Sequence, residues 1–465
     1  MKASPTIPES LQEVLRSAAL PESKALEVKF SGSDPVFRTP YKVATGGSAA
    51  LGALAIAMAD IREAQTGKRP AISIDVSGAT ASLRSSKYVR LDGKLPDREN
   101  TVTGFYRTAH DRWSYFHCNH TPHQEALLKV LGVPADKAQV AQAAAKWDAF
   151  KLEDAVDKAG GLAPAVRTPE EWRALPNTPS LAAEPLVDIQ KIGSSAPVPL
   201  PKGTERPLSG LKVLDFPRVL AGPTCARLLA ESGADVLKIT CEGHPDTPAL
   251  ELDTGYGKRN ATLDLTTSEG KSQLIELMKH CDVFSQAYRP DALSKLGFGP
   301  EQAMAIRPGI VYASLNAYGH TGSWSTRRGF DTAVQAASGM AYTSGQGEEP
   351  QFTPVSALDY ICGYLMAFGV LVALKRRHNE GGSYAVKVSL ARCEEWLVSM
   401  GLHDISTADA GAEELAEIAQ WLIEVQTPLG HLKRLRPIIR YSEEMMNELV
   451  AWRDAGQSGA TWSSP

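Results

Sequence analysis

The chain has 465 residues, 43% of them hydrophobic and 22% charged, with a net charge of −4. That balance belongs to a globular protein able to build one large or two to three ordinary domains. It excludes a general nucleic-acid binder, which shows a strongly basic domain or stripe. The opening residues, Met1-Lys-Ala-Ser-Pro-Thr-Ile-Pro-Glu9, hold no apolar leader, and the longest apolar stretch, around Tyr360 to Leu374, reads as too short to span a bilayer.

In chain order, the first predicted element is an apolar helix over Ala49 to Met58. It leads into a helix, Gly turn and strand over Ala59 to Ile74. Set over Ala373 to Val388 without gaps, this segment aligns Ala59, Arg62, Gly67 and Ala71 with Ala373, Arg376, Gly381 and Ala385, and Gly363 to Val372 is a second apolar helix. An internal repeat is therefore expected, and the same offset of 314 residues puts Thr45 where the later copy has Asp359. A helix is predicted over His123 to Leu131. Lys191 to Pro207 is too rich in proline for helix or central strand and reads as an extended linker. Beyond it, strands at Lys212 to Phe216, Ala234 to Ile239, Ala261 to Leu265, Val283 to Gln286 and Ile310 to Leu315 alternate with helices at Thr224 to Ser232 and Ser268 to His280. This pitch implies a doubly wound parallel α/β sheet with ligand chemistry near the carboxyl ends of its strands.

Candidate functional residues follow from the same elements. Asp359 heads the long apolar helix, where a carboxylate is poorly suited to packing; it serves either as a helix cap or as a reactive group. Arg218-Val-Leu-Ala-Gly-Pro223 joins a strand to a helix. It reads as an ordinary βα turn or as an anion site, in which Gly222 admits a close backbone approach and the helix N-terminus attracts negative charge. Lys258, Arg259 and Arg289 flank strands and are either solvated cations or anion ligands. His117-Cys-Asn-His-Thr-Pro-His123 carries ligand-type side chains, but its spacing matches no standard zinc pattern, so no metal is expected. Six cysteines, at 118, 225, 241, 281, 362 and 393, include no Cys-x-x-Cys pair, which points to a reducing, cytoplasmic setting. No Gly-x-Gly-x-x-Gly follows a strand, which argues against a nicotinamide dehydrogenase.

Leu208-Ser-Gly-Leu-Lys-Val-Leu-Asp-Phe-Pro-Arg-Val-Leu-Ala-Gly-Pro223, Gly233-Ala-Asp-Val-Leu-Lys-Ile239, Lys258-Arg-Asn-Ala-Thr-Leu-Asp-Leu265 and the Asp359 segment together resemble the class III CoA-transferase family of the CaiB/BaiF type, which includes formyl-CoA transferases and α-methylacyl-CoA racemases. The resemblance covers roughly 205–400 closely and 37–195 more loosely. It implies an α/β fold: a Rossmann-like doubly wound parallel sheet and a smaller α+β domain, here with a degenerate amino-terminal copy fused ahead of the active one. The corresponding division is 1–84 for the degenerate part, 85–195 for the smaller domain, 196–207 for the linker, 208–402 for the catalytic domain and 403–465 for a short tail.

The implied activity is transfer of CoA from an acyl-CoA to a carboxylic acid, with CoA and acyl-CoA as substrates and no tightly bound cofactor. Asp359 would be the nucleophile, and Arg218, Ala221, Gly222, Lys258, Arg259 and Arg289 would bind CoA. No nucleic acid or membrane partner is implied, and the expected assembly is a monomeric pseudo-dimer or a homodimer. Racemase relatives place a His after the glycine of Gly329-Phe330-Asp331; Phe330 cannot shuttle a proton, which favours the transferase over a racemase or epimerase. Leu220 stands where some transferases carry Gln, and the glycine-rich loop of the formyl-CoA enzymes has no clear counterpart. A non-catalytic acyl-CoA-binding protein is the alternative from another class.

Overall fold

A computed structural model describes residues 5–95, 100–202, 205–241, 247–404, 416–453 and 459–462. The amino-terminal part is a strand–helix–strand–helix unit: β1 (Val28–Ser31), α1 (Val43–Thr66), β2 (Ile72–Asp75) and α2 (Val76–Ser82), with β1 and β2 parallel. α1 is apolar on nearly every face and is buried accordingly. It stops at Gly67, whose φ of 71° supplies the left-handed turn that a side chain would resist.

The main sheet has seven strands. β3 (Asp188–Gly193) forms one edge, followed along the chain by β4 (Lys212–Asp215), helix α3 (Ala221–Glu231), β5 (Asp235–Thr240), β6 (Lys258–Thr262), β7 (Val283–Gln286) and β8 (Val311–Asn316). Then come α4 (Asp331–Ser338), α5 (Ala357–Glu380), β9 (Ser383–Ser389) and α6 (Leu390–Ser399). The spatial order is β3-β9-β8-β7-β4-β5-β6, parallel throughout except for β3, which runs antiparallel to β9. Every residue of β7 and β8 is buried, as expected of central parallel strands covered on both faces. The order winds outward from β4 in one direction through β5 and β6, and in the other through β7, β8 and β9.

Two expectations change. The strand expected over Ala261 to Leu265 begins earlier, at Lys258, because the lysine ammonium finds an acceptor inside the sheet layer. The linker expected from Lys191 starts instead as the last three residues of edge strand β3, the one sheet position that proline-rich flanks permit. The expected tail is paired with the rest of the chain. Its strands Leu422–Thr427 and Gly430–Leu435 form a hairpin that pairs with Arg90–Leu91, and Arg440–Tyr441 pairs with β2. Residues 405–415 of that tail lie outside the described residues.

α1 and α5 both have 24 residues, their ends are separated by the same 314 positions, and they pack along each other at the centre of the molecule. By length and composition both could cross a bilayer, contrary to the sequence reading; in the fold their apolar windows are 94% and 100% buried. A separate core, with Val102, Tyr106, Phe116, Leu127 and Leu152, holds the hairpin Gly104–Thr108/Arg112–Phe116 against the helices Thr121–Leu131, Lys137–Ala144 and Ala149–Lys158.

Candidate active site

Asp359 is the third residue of α5 and is 8% exposed. A helix start leaves backbone amides without partners, and an Asp there ordinarily satisfies them itself. Here another residue does so. Oδ2 of the buried Asp331, at the start of α4, accepts from the amides of Leu358 at 2.8 Å and Asp359 at 3.0 Å. Its other oxygen accepts from the Gln335 side chain, whose carbonyl takes the Thr353 amide at 3.0 Å. The Asp359 carboxylate is thereby released from capping and accepts no hydrogen bond from the described residues. Burial first, and then the neighbouring Asp331, push its pKa well above the usual carboxylate range. Burial pushes Asp331 up to about 6, against the pull of the amides it caps.

The start of α5 meets the loops after β4 and β7 where the sheet order reverses, the place at which open α/β sheets bind ligands. Gly222 lies so close to the loops after β4 and β7 that a Cβ there would come within 2.3 Å of Pro217 and 3.2 Å of Ala287. Gly363, one turn along α5 from Asp359, would place a Cβ 2.7 Å from the Ala221 carbonyl oxygen. These contacts bring the 217–222 loop, the residues after β7 and the start of α5 together. Arg218 is half-buried in this loop, and Arg289 is exposed after β7. Val219 sits at φ 71°, a left-handed conformation costly for a β-branched residue, so the loop carries local strain on the order of 1–3 kcal/mol.

Two expected CoA ligands are otherwise engaged. Lys258 is 1% exposed and donates to Asp215 at 2.7 Å and to the Pro223 carbonyl at 2.9 Å, beneath the loop. Burial pushes Lys258 down and Asp215 up, and their contact opposes both shifts. Arg259 pairs with Asp235 at 3.0 Å and donates to the Thr461 carbonyl. Each already neutralises a carboxylate of the fold.

Sequence reasoning missed the cover that the amino-terminal half lays over the start of α5. The Leu83 carbonyl accepts the Ser356 amide at 2.9 Å, and Lys87 Nζ donates to the Pro354 carbonyl at 3.2 Å. The Tyr360 hydroxyl accepts from the Ser86 amide and donates to Asp253 at 2.9 Å. Partners some 270 residues apart leave no local signal.

The His117–His123 segment was noticed only as a metal set. Among the described residues no group is arranged to hold a metal ion. His117 lies flat on Phe330, centroids 4.3 Å apart and 7° between planes, and His120 and His123 lie at 5.3 and 6.0 Å from the same ring. Burial drives His117 down to about 3 and His123 to about 4, so both imidazoles are neutral at physiological pH.

The model of CoA-transferase family III matches residues 27–198 and 208–419. The acetyl-coenzyme A transferase nodX of Hypoxylon pulicicidum is 31% identical over 336 residues, covering 66% of this chain and 56% of that protein. The probable fatty acyl-CoA transferase Rv3272 of Mycobacterium tuberculosis is 35% identical over 199 residues, covering 40% of this chain and 50% of its own length. The succinyl-CoA–L-malate CoA-transferase beta subunit of Chloroflexus aurantiacus is 37% identical, covering 42% and 53%. The chain thus spans about half the length of these curated relatives. Among solved structures, a CAIB/BAIF family protein from Brucella suis is 26% identical with a TM-score of 0.39, covering 49% of this chain and 65% of that one. With most of its length matched by the family model, the chain belongs to CoA-transferase family III.

Proposed function

We propose that the protein moves CoA from an acyl-CoA to a carboxylic acid, with Asp359 as nucleophile. The observation that carries this reading is a nearly buried carboxylate relieved of helix capping by Asp331, at the reversal of the sheet. An Asp359 oxygen attacks the thioester carbonyl; the C–S bond breaks and CoA leaves as the thiolate, giving a mixed anhydride. The thiolate then attacks Cγ of Asp359, expelling the donor carboxylate and leaving an aspartyl-CoA thioester. The acceptor carboxylate attacks that Cγ, again releasing thiolate, and the resulting second anhydride is opened by thiolate at the acceptor's acyl carbon. This gives the new acyl-CoA and free Asp359. Once Asp359 is ionised no further proton moves, and each step exchanges one activated acyl bond for another. The amides of Leu358 and Asp359 are occupied by Asp331, so the donors that steady each oxyanion are other groups.

Arg218, Ala221, Gly222 and Arg289 are assigned to CoA, and Lys258 to holding the loop through the Pro223 carbonyl. Treating the protein with acyl-CoA and hydroxylamine is expected to leave a hydroxamate at Asp359, and Asp359→Asn is expected to bind CoA yet lower transfer by about a thousandfold or more. Active protein without that adduct sinks the assignment.

Two features support a Rossmann-like sheet and a degenerate amino-terminal copy. The strands wind outward in both directions from β4, and β1–α1–β2–α2 repeats β8–α5–β9–α6 with parallel strands in both. Gly32-Ser33-Asp34 parallels Gly329-Phe330-Asp331, and Asp34 accepts the Thr45 amide at 2.9 Å as Asp331 accepts that of Asp359. On this reading the chain is a single-chain pseudo-dimer with one carboxylate, placed in the cytoplasm, where free cysteines such as its six persist. The imidazoles around Phe330 favour one second reading, proton exchange at the acyl α-carbon in a racemase or epimerase. Deuterium uptake from D2O into a 2-methylacyl-CoA would establish it; none is expected.

A further inference from the structure

Beside the start of α5 lies a cation that the proposed chemistry does not use. The Arg84 guanidinium is held between the rings of Phe37 and Tyr88, 5.0 and 5.7 Å from their centroids. Its Nε is buried with no hydrogen-bond partner, and the buried Tyr88 hydroxyl has none either. Among the described residues Arg84 forms no ion pair. Two polar groups so close together, both left without acceptors in a folded protein, call for a specific occupant, because an unpaired buried donor is costly.

Their position is fixed on both sides. Leu83 binds Ser356, Ser86 binds Tyr360, and Lys87 binds Pro354, so Arg84 belongs to the stretch that closes over the residues around Asp359. Phe37 continues into Arg38, which with Thr39, Gln351, Phe352 and Pro354 lines a cavity of about 230 Å3 against the segment leading into α5. Arg38 is exposed on that cavity and the exposed Lys87 reaches its Pro354 wall, so the approach is cationic in a protein of negative net charge.

We infer that Arg84, with the Tyr88 hydroxyl, receives an anionic oxygen group of the substrate, making the amino-terminal half a specificity-determining part of the Asp359 site. A planar guanidinium fixed by two rings and a phenol beside it suit a carboxylate or a phosphate, since both accept several charge-assisted hydrogen bonds. The two sources are a CoA phosphate and a carboxylate of the acid substrate. This inference rests on the transferase reading for its setting, not for its chemistry.

Calorimetric titration of Arg84→Gln and Tyr88→Phe tests it, with CoA as one probe and succinate titrated into CoA-saturated protein as the other. Loss of CoA affinity by about tenfold or more, the scale of one charge-assisted hydrogen bond, identifies the phosphate. A similar loss confined to succinate identifies the carboxylate. Tyr88→Phe keeps the ring and so keeps the test alive if Arg84→Gln folds poorly. Affinities within about twofold of wild type for both probes in every variant that folds overturn the inference. Wild type that binds CoA through Arg84 but transfers nothing sinks the transferase reading alone; transfer and binding indifferent to Arg84→Gln sink this one alone.

Discussion

At the scale of single residues, the division of labour between two carboxylates governs the site: Asp331 holds the helix and leaves Asp359 free. Removing the cap should therefore cost stability, and removing the Asp359 carboxylate should not. Asp331→Ala is expected to lose about 1–2 kcal/mol in urea unfolding, the usual scale of a lost helix cap. Asp359→Asn is expected to gain. A carboxyl whose pKa is raised by folding stabilises fully below its unfolded value, near 3.8, and that contribution is lost as pH rises through the folded value. For Asp331 the interval runs from 3.8 to about 6. Thermal melts should show Asp359→Asn pulling above wild type as pH rises from about 3.8 and converging with it below that value. A constant difference at all pH values would remove the electrostatic account. The sequence announced Asp359 because a charge in an apolar helix is conspicuous. It left the roles of Lys258 and Asp215 ambiguous, since an ion pair 43 positions apart looks the same as two solvated charges.

Among elements, Gly363 sets how closely α5 approaches α3. Gly363→Ala would press a methyl to 2.7 Å from the Ala221 carbonyl and 2.8 Å from Thr224, so the helices must part. The expected cost is about 1–3 kcal/mol, with weaker CoA binding measured alongside. Lys258→Met leaves Asp215 buried without its partner and is expected to cost about 3–5 kcal/mol. The companion change Asp215→Leu should recover most of it, as read by chemical denaturation. The strand and helix alternation after Lys212 was legible because apolar runs and turns repeat at a short period. The tail hairpin was not, because its partner Arg90–Leu91 lies more than 300 residues earlier and its strands are only partly buried.

At the level of the whole molecule, α1 and α5 form the seam between two halves, and the amino-terminal half closes over the start of α5. Light scattering is expected to give a particle near the chain mass of 50.0 kDa, because α1 already covers α5 within one chain. Twice that mass would mean that further surfaces associate.

The difference between Thr45 and Asp359 at the two helix starts reaches into kinetics. A true two-subunit enzyme with paired centres can show half-of-the-sites reactivity or sigmoidal saturation. With a hydroxyl at one start and an acid at the other, initial velocity should follow a plain hyperbola in each substrate, and titration with an active-site label should stop at one equivalent per polypeptide.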